Sequence, residues 1–151
     1  MAGPGVDVED AVLRDLGAEL MRLSLLRTAA HPGLLLEVSA FRVLWMLVEH
    51  GPRTLRELAD DLHLERSTVT RQVNAAIARG LVERYDEAGS GGRLLRPTDA
   101  GRAAYEHDGR LRAAVLVEAL SELGPGGAGR VVRELRAFND ALDRTHARGG
   151  R

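Results

Sequence analysis

Apolar residues recur along most of the chain at the three- and four-residue spacing of amphipathic α-helices. The first run predicts a helix from Asp7, its N-cap, to about Ala30, and His31-Pro32-Gly33 then interrupts the pattern. A second run, residues 39–50, is apolar on most sides, which indicates a helix buried against several others. The apolar side of the first helix carries Val12, Leu13, Leu16, Leu20, Leu23 and Leu26.

The next two helices are short and are separated by a tight turn. Thr54, with Glu57 three residues on, matches a capping box and predicts a helix that ends at about Leu62. The following helix is closed by Gly80, because glycine adopts the left-handed conformation of a helix C-terminus without strain. The stripe that this helix is predicted to bury consists of Val69, Val73, Ala76 and Ile77.

Two short strand patterns follow, over residues 81–85 and 93–96. They predict a hairpin whose tip, residues 86–92, is rich in glycine and small enough to lie on a narrow groove. The order helix, turn, helix, hairpin predicts a winged helix-turn-helix. Arg93 and Arg96 are candidates for a phosphate or minor-groove contact, and an ordinary surface loop is the alternative interpretation.

The helix before the hairpin has an unusual outward face of short polar residues, one long cation and alanines. Such a face suits a helix that enters the major groove of DNA, about 12 Å wide. Ser, Thr and Asn reach base edges or phosphates, Arg bonds guanine bidentately, and alanines keep the helix slim. A core helix with a polar outside is the alternative for this helix taken alone. The face comprises Ser67, Thr68, Arg71, Asn74, Ala75 and Ala78.

Two more helices are predicted at the C-terminal end. Thr98 caps a long helix that runs to about Leu123, and glycines and a proline at 124–127 break it. The last helix has the alternating four- and three-residue spacing of a heptad pattern. Two heptads are too few to stand alone, so this helix packs on a partner, within the chain or from a second copy. The heptad positions are Val131, Leu135, Phe138, Leu142 and Thr145.

Composition and charge narrow the function classes. The chain has 151 residues, which suits one domain with helical extensions. Its net charge is −1, but residues 65–102 hold seven Arg against five acids, a bias that permits a phosphate-contact surface without demonstrating one. An aromatic content of 3% argues against stacking platforms for single-stranded nucleic acid. With no Cys, disulfides, thiolate zinc sites and cysteine-based redox sensing are excluded.

We expect a cytoplasmic protein with no membrane partner. The first ten residues lack the basic start and apolar run of a signal peptide, and the longest apolar run, residues 43–48, is too short to cross a bilayer. No enzyme is expected, because the His residues show no paired spacing and there is neither a phosphate-cradling glycine loop nor a Gly-x-Ser-x-Gly motif. Catalytic residues, cofactors and a metal site are therefore not predicted.

Two alternative functions stay open. One is a metal-responsive regulator whose His ligands come from distant positions. The other is a winged-helix protein-interaction module that does not contact DNA. The mild charge favours this module, whereas the outward face of the second short helix disfavours it.

Five runs of sequence together resemble the MarR family of bacterial transcription regulators, and the resemblance is close over residues 36–105. It implies a homodimer whose terminal helices interlock, with one winged domain per subunit on a pseudo-palindromic operator of double-stranded DNA. It also implies a repressor that a small-molecule effector releases. The runs are Phe-Arg-Val-Leu-Trp-Met-Leu-Val-Glu-His-Gly-Pro at 41–52, Thr-Leu-Arg-Glu-Leu-Ala at 54–59, Glu-Arg-Ser-Thr-Val-Thr-Arg at 65–71, Arg-Gly-Leu-Val-Glu-Arg at 79–84, and Pro-Thr-Asp-Ala-Gly-Arg at 97–102.

The resemblance assigns roles to residues and divides the chain. It implies a dimerisation helix and linker over 1–38, a DNA-binding region over 39–102 and dimerisation helices over 103–151. Many members of the family have Asp-Pro-x-Asp-Arg-Arg in the wing, whereas here Asp86 is followed by Glu-Ala-Gly-Ser-Gly-Gly before Arg93. Either Arg93 replaces the tip arginines from the strand base, or the wing contributes weakly. The candidate DNA contacts are Thr54, Arg66, Ser67, Thr68, Thr70, Arg71, Asn74, Arg93 and Arg96.

The family also implies an effector site. In many members an apolar crevice between the dimer helices and the winged domain takes a small aromatic or lipophilic molecule. Trp45 is the central candidate here, and the alternative is that it is simply a core residue. The candidate lining residues are Met21, Trp45, Met46 and Tyr105.

Overall fold

The computed structural model describes residues 9–28, 31–89 and 92–149, and the fold is mainly α-helical with a small antiparallel sheet. The predicted fold class, a winged helix-turn-helix with helices on both sides, is confirmed. The dimerisation role of the outermost helices and the division at 38 and 102 stay predictions. In chain order the elements are α1 (Asp10–Thr28), α2 (Val38–Glu49), β1 (Arg53–Thr54), α3 (Leu55–Leu62), α4 (Arg66–Ala78), β2 (Val82–Tyr85), β3 (Leu94–Pro97), α5 (Asp99–Ser121) and α6 (Gly127–Gly149).

The apolar core of the described residues lies mainly in residues 36–97, which we call the winged region. Helix α2 is at its centre and contacts α4, α5 and β3, as the apolar residues on most of its sides predicted. The predicted stripe of α4 faces this core, with Ile77 half-buried at its edge. The side chains that are almost completely buried here are Val43, Leu44, Leu47, Leu58, Val69, Val73, Val82 and Leu95.

The sheet has three antiparallel strands in the order β1-β3-β2. The hairpin of β2 and β3 was predicted, and its register pairs Glu83 with Arg96 and Arg84 with Leu95. Strand β1 was not predicted, because two residues are too few to show an alternating pattern. Thr54 ends β1 and caps α3: its Oγ1 accepts from the backbone N of Glu57 at 3.2 Å, so the predicted capping box is confirmed.

The start of α5 is fastened to the end of α4. The Oγ1 of Thr98 accepts from the backbone N of Gly101 at 3.0 Å, which confirms the predicted cap. The same hydroxyl donates to the carbonyl oxygen of Gly80 at 2.6 Å. Gly101 is buried, and a Cβ there would overlap the backbone carbonyl of Leu81. The turn after α4 and the first turn of α5 therefore pack backbone against backbone.

A buried carboxylate ties the segment before α2 to α5. Asp108 is completely buried, and its two oxygens accept from the backbone N of Leu35 at 2.8 Å and of Leu36 at 2.9 Å. On the other side, Arg79 Nη2 donates to the carbonyl oxygen of Leu35 at 3.0 Å. Residues 31–37 are thus bonded both to Asp108 of α5 and to Arg79, the C-cap residue of α4. Sequence analysis did not single out Asp108, because nothing in its local pattern distinguishes it from a surface acid.

The helices at the two ends of the chain are exposed along most of their apolar residues. We call α1, residues 113–121 of α5, and α6 the outer helices. Every side chain described in α1 is exposed, while the predicted N-cap Asp7 and end Ala30 lie outside the described residues. Within the described ranges, no helix has both the length and the apolarity to cross a membrane. The large apolar side chains exposed on the outer helices are Val12, Leu13, Leu16, Leu20, Met21, Leu23, Leu25, Leu26, Val115, Leu116, Val117, Val132, Leu135 and Leu142.

Candidate nucleic-acid interface

Helix α4 presents its short polar residues outward. It follows a tight turn in which His63, the residue that caps the end of α3, adopts a left-handed conformation with φ 53°. Burying Val69 and Val73 turns the opposite side of the helix to solvent. There Thr68 is half-buried, and the exposed residues of the predicted face are Ser67, Arg71, Asn74, Ala75 and Ala78.

Two of the candidate hydroxyls are already engaged in hydrogen bonds within the protein. Thr70 Oγ1 donates to the carbonyl oxygen of Arg66 at 2.8 Å, inside the helix. Thr54 Oγ1 donates to Glu57 Oε2 at 2.9 Å in the capping box. The backbone N–H and the hydroxyl of Thr54 hold the pKa of the Glu57 carboxyl below its ordinary value. These two threonines are therefore poorer donors to DNA than Ser67.

The wing arginines lie at the base of the hairpin, in exposed ion pairs. Arg93 Nε is 3.2 Å from Asp86 Oδ1, and Arg96 Nε is 2.7 Å from Glu83 Oε1. The Arg96 guanidinium also lies 4.5 Å from the centre of the Tyr85 ring. Exposed pairs of this kind contribute only about 0–1 kcal/mol, so a phosphate can compete for either arginine. Ser90 and Gly91 of the predicted tip lie outside the described residues.

Arg84, which was not among the predicted DNA contacts, joins the hairpin of β2 and β3, the wing, to α4. Its Nη2 donates to Oδ1 of Asn74 at 2.6 Å. The alternation of β2 contained a signal for this contact, since Arg84 lies two residues after the buried Val82 and therefore on the same face of the strand. The partner in α4 is ten residues away in sequence, and no local pattern identifies it.

The predicted effector residues lie in different surroundings. Met46 is buried in the core, and Met21 is exposed on α1. Trp45 is 41% exposed, which contradicts the alternative that it is simply a core residue of the protomer. Its ring meets that of His50 edge-on, with 5.1 Å between centroids.

Tyr105 is half-buried between α2 and α5. Its ring centroid is 5.1 Å from that of Phe41, and its hydroxyl donates to Glu49 Oε1 at 2.8 Å. Burial, and then the hydrogen bond to Glu49, raise the pKa of Tyr105 to about 12. Among the residues that the structure describes, one surface pocket lies along α6 and another beside the α3–α4 turn, and none of the four effector candidates lines either of them. The effector site stays a prediction.

A metal-responsive site finds no support in the described part of the chain. Across residues 9–28, 31–89 and 92–149, no three His, Asp or Glu side chains are grouped closely enough to hold a metal ion.

Comparison with known proteins identifies relatives of this fold. The model of the MarR family matches residues 36–93. RV1404 from Mycobacterium tuberculosis has a TM-score of 0.69 at 24% identity, and the match covers 92% of this chain and 98% of that one. No protein of curated function matches the sequence.

Two further structures carry ligands of interest. A mutant of MarR from E. coli, complexed with operator DNA, has a TM-score of 0.68 at 21% identity, covering 85% of this chain and 94% of that one. The PcaV transcriptional regulator from Streptomyces coelicolor, in complex with its natural ligand, has a TM-score of 0.61 at 22% identity, covering 94% and 99%. At these identities the structural likeness shows the fold.

Proposed function

We propose that the protein is a sequence-specific regulator that binds double-stranded DNA, because the model of the MarR family matches residues 36–93, within the winged region. The observation that carries the proposal is the exposed face of α4, with Ser67, Arg71 and Asn74 outward and the core stripe opposite. Ala75 and Ala78 on the same face allow the helix to approach base edges closely. The operator complex of the E. coli relative, which has the same fold, supports this assignment.

A homodimer is the assembly that we propose. The outer helices leave a long row of exposed Leu, Val and Met side chains on the protomer, far more than a soluble monomer usually exposes in one region. A second copy of the chain would cover them. The two-fold symmetry of such a dimer calls for a pseudo-palindromic operator with half-sites about one helical turn apart, or a multiple of it.

We further propose that the protein is a repressor released by a small aromatic or lipophilic effector. The liganded state of the Streptomyces relative supports a small-molecule partner for this fold. The exposed ring of Trp45 supports an aromatic one, because an indole face favours stacking. The chain has one Trp, so its fluorescence reports on this position alone. Phenolic compounds that quench it should also weaken DNA binding.

The deciding experiment compares two arginines in binding to a duplex selected from a random library. Arg71→Ala should cost about 1–3 kcal/mol on the selected site and less on random DNA, because a bidentate contact to guanine reads sequence. Arg93→Ala should weaken binding to all sequences alike and lower the salt slope by about one per subunit, because a phosphate contact carries no sequence information. If Arg71→Ala bound the selected site as tightly as the parent, the assignment of the recognition face would be wrong.

A protein-interaction module without DNA binding is the second candidate function. The observation in its favour is that both wing arginines are paired with acids, Arg93 with Asp86 and Arg96 with Glu83. Salt titration separates the two candidates. A parent protein that shows no salt-dependent binding to any duplex would replace the regulator with this module.

A further inference from the structure

The hydrogen bond between Arg84 and Asn74 orients the side-chain amide of Asn74 on the exposed face of α4. Strand β2 alternates, so Val82 and Arg84 share the face that looks toward α4, while Glu83 lies on the other face with Arg96. Val82 is buried in the core, and Arg84, two residues further along, emerges at its edge beside the exposed Asn74. The 2.6 Å bond from Nη2 to Oδ1 joins the wing and α4 at this edge.

A guanidinium group has only donors, so the atom of Asn74 that faces Arg84 must be the amide oxygen. A hydrogen bond from a charged donor is about twice as strong as one between neutral groups, which favours this orientation of the amide. The amide NH₂ group of Asn74 is then left to point away from Arg84. Asn74 therefore presents donors on the exposed face of α4.

This polarity determines which base Asn74 is able to read. An Asn that recognises adenine uses both ends of its amide, because it accepts from N6 and donates to N7. Guanine offers two acceptors in the major groove, O6 and N7, and has no donor there. We propose that Arg84 is a specificity-determining residue that holds Asn74 as a donor and directs it to guanine rather than adenine. This inference rests on the proposed function in DNA binding.

The test is selection of duplexes from a random library by the parent and by variants, followed by measured affinities at the selected positions. Asn74→Ala identifies the base pair that Asn74 contacts, because this variant should no longer discriminate among the bases at that position. At that pair the parent should prefer guanine over adenine, and Arg84→Ala should shift the ratio toward adenine by about tenfold. Arg84→Lys, which retains a charged donor, should retain the guanine preference.

Two further variants separate this role from a general loss of charge or of folding. Arg96→Ala removes one cation from the opposite face of the same hairpin, and it should lower affinity at all sequences without changing the preference at the Asn74 pair. Asn74→Asp strengthens the bond with Arg84 but has no amide donor, so it should lose the guanine preference while melting at about the temperature of the parent.

The outcomes distinguish the inference from the function on which it rests. Two results would overturn the inference while DNA recognition stood. One is that Arg84→Ala keeps the parent's ratio of affinities for guanine and adenine. The other is that Asn74→Ala discriminates among bases as well as the parent at every position of the site. If the parent selected no sequence at all, the proposed function would fail, and the inference would fail with it.

Discussion

The winged region and the outer helices are built from the same kinds of apolar residues but differ in what covers them. In the winged region Leu44 and Val69 are completely buried by other parts of the same chain. On α1, Leu26 is 65% exposed, although it lies on the predicted apolar side of its helix. An apolar stripe thus predicts that a helix face will be buried, but tertiary and quaternary structure decide which residues pack on it. In the winged region those residues belong to the same chain, and we propose that a second copy of the chain packs on the outer helices.

The largest effect is expected where the winged region packs against the first turn of α5. Gly101→Ala places a methyl group against the backbone carbonyl of Leu81, which cannot move without shifting the turn after α4. We expect it to lower the free energy of unfolding by about 3 kcal/mol. Gly109→Ala is the matched control in the same helix, because a Cβ there meets no atom within 4 Å. It should be neutral or stabilise by up to about 1 kcal/mol. Equal effects of the two changes in urea denaturation would contradict this packing.

A charge on the outer helices should affect assembly and leave the fold of the protomer intact. Leu135 is exposed on the heptad stripe of α6, so Leu135→Glu costs little in an isolated protomer. Buried against a second copy, the unpaired carboxylate should weaken dimerisation by about a hundredfold. Arg144→Glu, on the opposite side of the helix, is the control. Sedimentation across a concentration series measures both, and a parent that sediments as a folded monomer at micromolar concentration would refute the homodimer.

A buried carboxylate ties α5 to the segment before α2, because Asp108 accepts from the backbone N of Leu35 and of Leu36. Asp108→Asn replaces one accepting oxygen with an NH₂ group that faces the backbone N–H of Leu35 or Leu36. We expect a loss of about 2 kcal/mol in the free energy of unfolding, because a buried donor is left without an acceptor. Asp143→Asn, an exposed change of the same kind on α6, should have no measurable effect. Thermal unfolding of both variants tests this, and equal stability would contradict the role of Asp108.

Asp108 also shows which parts of the fold sequence analysis is able to predict. The caps at Thr54 and Thr98 and the buried stripe of α4 were predicted, since each is specified within one or two helical turns. The carboxylate of Asp108 bonds residues more than seventy positions earlier, and Arg84 reaches Asn74 from another element. Such contacts depend on how elements pack together. Strand β1 is defined by its pairing with β3, and its two residues are too few to show an alternating pattern.

A smaller, pH-dependent effect is expected at the contact between α2 and α5. The pKa of Tyr105 is raised to about 12 from an ordinary 10.0, so the folded state favours the neutral phenol. Its contribution to stability is complete below pH 10 and is lost as the pH rises toward 12. The free energy of unfolding of the parent should therefore decrease as the pH rises from 10 to 12, and Tyr105→Phe should remove this decrease. Glu49→Gln should remove a smaller part of it, because burial is the larger cause of the raised pKa. If the free energy of unfolding of Tyr105→Phe fell with pH as steeply as that of the parent, this role of Tyr105 would be contradicted.

Hydrogen exchange of the parent protein, with and without its selected duplex, most directly tests the contrast between the two regions. An uncovered helix the length of α1 is only marginally stable in water and exchanges rapidly. If a second copy covers the outer helices, the amides of α1 should exchange slowly in the free protein at micromolar concentration. The duplex should then add protection at the N-terminal half of α4 and at the wing, and little at α1. Rapid exchange throughout α1 at every concentration, with no added protection of α4 by DNA, would contradict both the homodimer and the recognition face.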